Sequence, residues 1–273
     1  MRTVLLVLLA AAAEQSCTAA FEREAEGART AALGGAGLAL RGDPWGTLTN
    51  PGLSMRTQAL AFGIVHAPSP FGLRELSRSG FLLVESFVFG SVAASGSRFG
   101  FDLYRELSFR LSFGTDIAPG LRAGAALNYY RLAIPDYGSA STFGGDLGLV
   151  WEASDDVAVG LSATNVNAPA IGRSKEKLPQ TFGAGSAYAP FPGLILLLDL
   201  VKDIRFPLEL RFGVEYSPLE ALALRAGAGR DPSTFGCGVG VTLDPATVDY
   251  SFTRHEALGF THRIGLTLRL EHA

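Results

Sequence analysis

The stretch Leu208-Glu-Leu-Arg-Phe-Gly-Val-Glu-Tyr216 alternates between two kinds of side chain. Leucine, phenylalanine, valine and tyrosine hold the even positions, while glutamate, arginine and glycine hold the odd ones. Because successive side chains of a strand point to opposite faces, this stretch predicts a strand with one apolar and one charged face. A row of charges cannot line a dry core, and a row of large apolar side chains is unstable in water. The pattern favours a strand between lipid and a polar lumen.

The same alternation recurs in short segments separated by clusters of Pro, Gly, Asp and Ser. A soluble β-sandwich is the alternative, but its outward face should be charged. The sequence therefore predicts an all-β fold, a transmembrane antiparallel β-barrel of about 14 strands over residues 58–273. The predicted strands are 58–66, 80–90, 97–105, 107–116, 121–132, 142–152, 157–166, 179–189, 194–202, 208–216, 221–229, 234–243, 247–254 and 261–271.

The predicted connections fall into two groups. Tight turns lie at 118–120, 154–156, 191–193, 217–220 and 244–246, and they alternate with other loops, of which 134–141 and 167–178 are the longest. Outer-membrane barrels have short periplasmic turns, longer outer loops and an even number of strands. Counting from a periplasmic N-terminus, every tight turn falls inside. We therefore expect the mature protein in the outer membrane of a Gram-negative-type bacterium.

Residues 1–20 have the form of a secretory signal peptide. A positive residue precedes about ten apolar ones, a run too short to span a membrane as a helix, and cleavage is predicted after Ala19 or Ala20. Lipidation of Cys17 is the alternative. The mature chain then holds only Cys237, which excludes an internal disulfide and a cysteine-based metal site. The net charge of -3 does not favour nucleic acid as a partner.

Residues 21–57 do not alternate, and four short motifs follow one another there: Gly27-Ala28-Arg29, Gly34-Gly35-Ala36, Asp43 and Asn50-Pro51-Gly52-Leu53. This order resembles the opening of the PorV/PorQ-type proteins of the FadL-like outer-membrane superfamily. The resemblance implies a plug or hatch in the lumen, with a motif consisting of Gly34, Gly35, Asp43, Asn50 and Pro51. Glycine permits close backbone approach, and Asn before Pro initiates a turn. The alternative is an ordinary leader to the first strand.

The predicted inner rows contain small and charged residues. Glycines there would make room for a plug: Gly100, Gly124, Gly148, Gly160, Gly213, Gly227, Gly236, Gly238 and Gly240. The charges expected to point inward are Arg110, Arg122, Arg211, Arg225, Arg263 and Arg269, together with Asp102, Asp146, Glu209, Glu215 and Asp249. Since a buried charge is costly unless paired, we expect an ion-pair network that supports the barrel and anchors the plug. An electrostatic lining for a permeant is the alternative.

Two predicted strands, 80–90 and 194–202, break the alternation. Their extra apolar side chains are expected inside the barrel, against the plug or around a hydrophobic ligand: Phe81, Leu83, Phe87, Phe89, Ile195 and Leu197.

No catalytic pattern is present in the sequence. His255-Glu256 lacks the second histidine of a zinc-protease helix, and no Gly-x-Ser-x-Gly elbow occurs. The glycines at 34, 35 and 37 do not complete a dinucleotide-binding motif, since position 40 is leucine. We expect no enzyme activity, no cofactor and no metal.

The resemblance implies an accessory role in protein export or surface attachment by a type IX-like pathway, with secretion-system proteins as partners. The alternatives are a FadL-like passive channel for a hydrophobic ligand and a structural barrel without a permeant. Outer-membrane lipid and lipopolysaccharide are expected partners in each case. A channel predicts an apolar pocket beneath the plug and a gap in the barrel wall, with an apolar tunnel that ends near Gly236, Gly238 and Gly240. A fully sealed wall would remove the channel hypothesis, and an export partner predicts a sealed lumen.

Overall fold

The computed structural model describes residues 20–22, 27–53 and 59–271. Positions 1–19 of the predicted signal peptide lie outside the described residues. Positions 23–26 and 54–57 of the predicted plug also lie outside them.

Alternating sequence produces sixteen strands in the described chain: β1 (Ala59–Ala67), β2 (Arg78–Phe87), β3 (Gly90–Phe101), β4 (Tyr104–Ala118), β5 (Leu121–Ile134), β6 (Gly138–Glu152), β7 (Val157–Thr164), β8 (Ala170–Ile171), β9 (Glu176–Lys177), β10 (Thr181–Phe191), β11 (Leu194–Asp203), β12 (Leu208–Leu219), β13 (Leu222–Arg230), β14 (Thr234–Leu243), β15 (Ala246–His255) and β16 (Gly259–Glu271). Two α-helices, Ala28–Ala32 and Gly46–Thr49, and two 3₁₀ turns, Pro70–Gly72 and Arg74–Leu76, complete the described elements.

Fourteen of these strands form a closed antiparallel barrel, which confirms the predicted fold. Neighbours along the chain pair with one another, β7 pairs with β10, and β1 pairs with β16 to close the wall. The strands β8 and β9 pair only with each other. Closure gives each of the fourteen described barrel strands a partner on both sides, which is the arrangement that a strand needs when water is not available to its backbone.

The predicted connection at 91–96 is wrong, because these residues belong to β3 and the chain turns at Val88 and Phe89 instead. The small residues of this stretch resemble a loop in sequence. In the barrel, however, the rings of Phe81 and Phe109 on the neighbouring strands cover Gly96. The predicted long loop at 134–141 is likewise mostly strand, and only three residues connect β5 to β6.

The two faces of the wall differ in chemistry. On β12, Leu208 is 53 % and Phe212 is 45 % exposed, whereas Glu215, which points inward, is 4 % exposed. Each of the fourteen barrel strands exposes at least one large apolar side chain. Such a continuous apolar band is typical of a surface that faces lipid. Among the described residues, no helix is both long and apolar enough to cross a membrane.

The strand β2 is apolar on both faces, and the prediction of which face points into the barrel is wrong. The side chains expected inside are exposed on the outer surface: Phe81, Leu83, Phe87 and Phe89. Leu82 and Val84 point inward instead and pack in a buried cluster with Trp45. On β11 the expectation agrees with the structure, since Leu197 is buried inside and Ile195 packs beside it.

The connections divide the barrel into two ends. All five predicted tight turns lie at one end, together with the start of β1 and the finish of β16, and we call it the turn end. The other end, the loop end, carries the longest connection of the barrel, residues 165–180, which contains β8 and β9.

Candidate ligand-binding cavity

Residues 27–53, called the inner segment below, lie inside the barrel. A Cβ atom at Gly124, Gly160 or Gly227 would lie 2.0 to 2.1 Å from backbone atoms of the inner segment. These glycines belong to β5, β7 and β13, which are well separated around the wall. The inner segment therefore spans the lumen, and only a wall without side chains at these points leaves room for it.

Seven of the nine wall glycines singled out from the sequence lie against the inner segment: Gly124, Gly148, Gly160, Gly213, Gly227, Gly236 and Gly238. The other two serve the wall itself. Gly100 has φ of 97° and lies against the carbonyl oxygen of Tyr104, and Gly240 leaves space for the guanidinium of Arg225. The sequence reasoning missed four further glycines that face the segment, Gly63, Gly183, Gly185 and Gly265.

The paired glycines of the predicted plug motif lie where the inner segment meets β12 and β13. Gly34 has φ of 68°, and a Cβ there would lie 2.6 Å from the backbone nitrogen of Ala228. Gly35 has φ of 82°, and its carbonyl accepts a hydrogen bond from Arg211 Nη1 at 3.2 Å. A side chain at either position would be strained by its backbone conformation.

The remaining motif residues hold the second half of the inner segment. Asn50 is fully buried, and its Nδ2 donates to the carbonyls of Leu38 at 2.9 Å and of Leu149 in the wall at 3.1 Å. The carbonyl of Pro51 lies against Gly124. Asp43 Oδ1 accepts the backbone N–H of Trp45 at 3.0 Å, and burial raises the pKa of the Asp43 carboxyl above its ordinary value.

A chain of ion pairs joins the inner segment to the wall. Arg29 donates to both carboxylate oxygens of Glu215, at 2.7 and 2.6 Å. Arg225 donates to the same carboxylate at 2.6 Å and to Asp249 at 2.5 Å. All four side chains are largely buried, so each depends on its partner's charge.

The prediction for Asp102 is wrong, because this residue lies in the turn between β3 and β4 and its side chain is 95 % exposed. The remaining predicted lumen charges point inward or contact the inner segment. Arg110 pairs with Asp146 at 2.5 Å, and Arg211 pairs with Glu209 at 2.6 Å. Arg122 pairs with Asp116 at 2.9 Å, Arg263 is buried, and Arg269 donates to the Gly42 carbonyl at 2.9 Å. These ion pairs and hydrogen bonds link nearby strands to one another and the wall to the inner segment, as a structural network requires.

Asp199 is the main anchor that the sequence reasoning missed. This fully buried side chain on β11 accepts hydrogen bonds from the backbone amides of Gly37 at 2.7 Å and Leu38 at 2.9 Å. The signal was a single acid within the apolar run 194–201. A charge in such a run requires donors, and here backbone amides supply them.

A cavity of about 650 Å³ lies between the inner segment and the loop end. It is therefore above the inner segment, and the prediction of a pocket beneath the plug is wrong. Its floor is formed by Ala31, Gly34 and Gly35. Apolar groups from strands and loops contribute much of the lining, namely Phe71, Pro179, Val201, Phe206, Pro207, Pro232, Phe235 and Leu258. The ion pair of Glu209 with Arg211 and the guanidinium of Arg263 add a charged side. This size and mixture are usual for a site that binds a small molecule.

The wall is continuous at Gly236, Gly238 and Gly240, where the sequence predicted the end of a tunnel. β14 pairs without interruption with both β13 and β15 there, so the predicted opening is wrong.

The shortest ladder of the described barrel joins β6 to β7 and contains six pairs. Beyond it, the loop-end half of β6 is flanked by segment 165–180, where Val166 N donates to Gly145 O at 2.8 Å.

Asn165 holds that segment in place. Its Nδ2 donates to the Pro179 carbonyl at 2.7 Å, its Oδ1 accepts from the Tyr130 hydroxyl at 3.1 Å, and its own N–H donates to Asp146 at 2.8 Å. Asn165 has φ of 51° and is 2 % exposed. Asparagine tolerates this left-handed conformation better than most residues.

The architecture defines a class: a closed barrel of 14 antiparallel strands that encloses its own N-terminal segment and a cavity next to it. No family model and no curated protein matches the chain. Among solved structures, the chain is similar to the monoaromatic hydrocarbon channel CymD, with 13 % identity, a TM-score of 0.66 and coverage of 91 % of this chain and 98 % of that one.

Two further solved structures have the same fold. A FadL homologue of Pseudomonas aeruginosa is 11 % identical with a TM-score of 0.67, over 91 % of this chain and 99 % of that one. The toluene transporter TodX of Pseudomonas putida is 12 % identical with a TM-score of 0.64, over 91 % and 98 %. The fold is thus that of FadL-like barrels, which agrees with the wider resemblance seen in the sequence. Nothing in these likenesses singles out the PorV/PorQ type.

Proposed function

We propose that the protein is a passive channel for hydrophobic small molecules in the outer membrane of a Gram-negative bacterium. The apolar outer rows would contact lipid, the turn end would face the periplasm, and the loop end, with its contacts to lipopolysaccharide, would face outward. The neighbours in structure include channels and transporters for hydrocarbons, which favours this function over the export role implied by the PorV/PorQ resemblance.

The cavity of about 650 Å³ above the inner segment is the observation that carries the proposal. Its apolar lining would release water when an apolar molecule enters, and this gain is roughly 25 cal/mol for each Å² of apolar surface buried. Arg211 and Arg263 lie on the charged side, where they would accommodate a polar substituent of the ligand.

Two barriers separate this cavity from the periplasm and the membrane. The inner segment forms the floor, so passage along the barrel axis requires this segment to shift. Segment 165–180 flanks β6 just beyond the short ladder between β6 and β7, and Pro179 within it lines the cavity. We place the lateral route here, because fewer backbone hydrogen bonds must open than elsewhere in the wall.

Val201→Trp provides the test, with Leu200→Trp as its matched control. Val201 points into the cavity, while its neighbour Leu200 is 43 % exposed on the outer face. The full chain in lipid vesicles would be assayed for toluene binding and for toluene entry. We expect Val201→Trp to weaken binding at least tenfold, about 1.4 kcal/mol, and to slow entry, while Leu200→Trp behaves as wild type.

Equal entry rates for vesicles with and without the wild-type protein would refute the channel and leave the export role and the structural barrel. Equal loss in both tryptophan variants would show that the cavity is not the site.

A further inference from the structure

Glu106 is a buried carboxylate at a second, smaller cavity of about 50 Å³, lined by residues of β2 to β5 and by Asn165. The side chain belongs to β4, and the residue is 4 % exposed. It accepts the Tyr104 hydroxyl at 2.7 Å and the backbone nitrogen of Phe21 at 3.0 Å, both through Oε1.

This carboxylate has no direct cation among the residues that the structure describes. No lysine, arginine or histidine nitrogen there lies within 4.0 Å of its oxygens. Arg78 lines the same cavity, but its guanidinium stacks on the ring of Phe99 at 4.9 Å from the centroid. Since a buried carboxylate is costly unless a positive charge is in contact with it, a partner should exist.

We propose that signal peptidase cleaves between Ala20 and Phe21, and that the new α-ammonium of Phe21 is this partner. Hydrolysis consumes one water, leaving a carboxylate on Ala20 and an amino group on Phe21. An α-amino group has a pKa of about 7.7 to 8.0 and is mostly protonated at neutral pH. Its nitrogen already lies 3.0 Å from the Glu106 carboxylate. Of the two cleavage positions that the sequence allows, only the one after Ala20 puts the charge on this atom.

The backbone of Phe21 supports the same position. Phe21 has φ of 56°, a left-handed conformation that is unfavourable for a phenylalanine. This angle is defined by the peptide bond to Ala20, so cleavage removes the strain along with the bond. The Phe21 ring remains held, since it contacts Tyr130 edge-on with centroids 5.0 Å apart.

The new terminus would become part of the lumen lining. Phe21 and Glu22 line the small cavity, and Glu22 also lines the large one. The ion pair with Glu106 would thus fix the chain end between the two cavities. This inference depends on the predicted signal peptide and holds for any permeant.

The first test is the intact mass and N-terminal residue of the full chain purified from outer membranes. We expect Phe21 as the first residue. Ala20 as the first residue, a lipid-modified Cys17 or a retained leader would each overturn the proposal.

The second test measures how fast the α-amino group reacts with a succinimidyl ester, resolved from the three lysines by peptide mass spectrometry. We expect slow labelling in wild type and labelling at least tenfold faster in Glu106→Gln. Asp102→Asn is the matched control, because the Asp102 side chain in the same hairpin is 95 % exposed. Should Glu106→Gln not fold, inserting two alanines after Ala20 displaces the ammonium and should also speed labelling. Unchanged rates in the folded variants would refute the ion pair.

Discussion

Replacing Gly227 by alanine should loosen the inner segment without breaking the wall. A Cβ atom at Gly227 would lie 2.1 Å from the carbonyl carbon of Leu33 and 2.4 Å from the nitrogen of Gly34. Both are backbone atoms, so no side-chain rotation can relieve the overlap. β13 is paired on both sides, and the inner segment is therefore the part that must move.

The expected size of the effect follows from this geometry. The inner segment must retreat by about 1 Å to reach an ordinary contact, and overpacking of this kind costs about 1 to 3 kcal/mol. Gly265→Ala is the matched control. Gly265 also faces the inner segment, but a Cβ there would lie 3.5 Å from the Cβ of Ala28, an ordinary contact. We expect this control to change the unfolding free energy by less than about 0.5 kcal/mol.

Tryptophan emission can follow the inner segment separately from the wall. The chain has two tryptophans: Trp45 is 6 % exposed inside and donates to Thr267, and Trp151 is 53 % exposed outside. In a Trp151→Phe background, a urea titration of Trp45 emission reports release of the inner segment, and heat-modifiable gel migration reports the barrel. Gly227→Ala should lower the midpoint of the emission transition more than that of the gel transition. Equal midpoints for the Gly227 and Gly265 variants would refute the reasoning.

Three further changes test other contacts. Asp199→Ala removes the acceptor of two inner-segment amides and should cost that segment on the order of 3 kcal/mol, seen as a lower Trp45 midpoint. Asn165→Ala removes the contacts that hold segment 165–180 and places alanine at φ of 51°, so protease cleavage within this segment should become about tenfold faster. Burial raises the pKa of Asp43, so the folded state binds its proton more tightly and the inner segment should lose stability as the pH rises above 3.8. Asp43→Asn should reduce this loss in titrations between about pH 4 and 7.

Much of the wall was predictable from local sequence. Eleven of the predicted strands, from 107–116 onward, correspond to β4–β7 and β10–β16 with small differences at their ends. Their side chains alternate with a period of two, which directly reflects the two faces of a strand. The prediction failed at two strands. In β2, Leu82 and Val84 point inward and pack against Trp45, so both faces of the strand are apolar and its alternation is lost. In β3, small residues typical of a loop form a strand, because aromatic rings of the neighbouring strands cover them.

The function prediction depended on a motif that does not distinguish export partners from channels. Gly34, Gly35 and Asn50 position the inner segment, and any barrel with such a segment needs similar residues. The feature that separates the alternatives is a cavity formed by residues from loops and strands far apart in the chain, from Phe71 to Arg263. No local pattern encodes that space.

The sequence by itself determined most of the barrel strands, their approximate number and which face of most of them is apolar, because these properties follow from neighbouring residues and a fixed repeat. Only the tertiary structure decided what occupies the lumen. The contacts of Arg29 with Glu215 and of Leu38 with Asp199 join residues more than 150 positions apart. Their partners depend on barrel closure and register, which bring distant strands around one segment and leave the cavity above it.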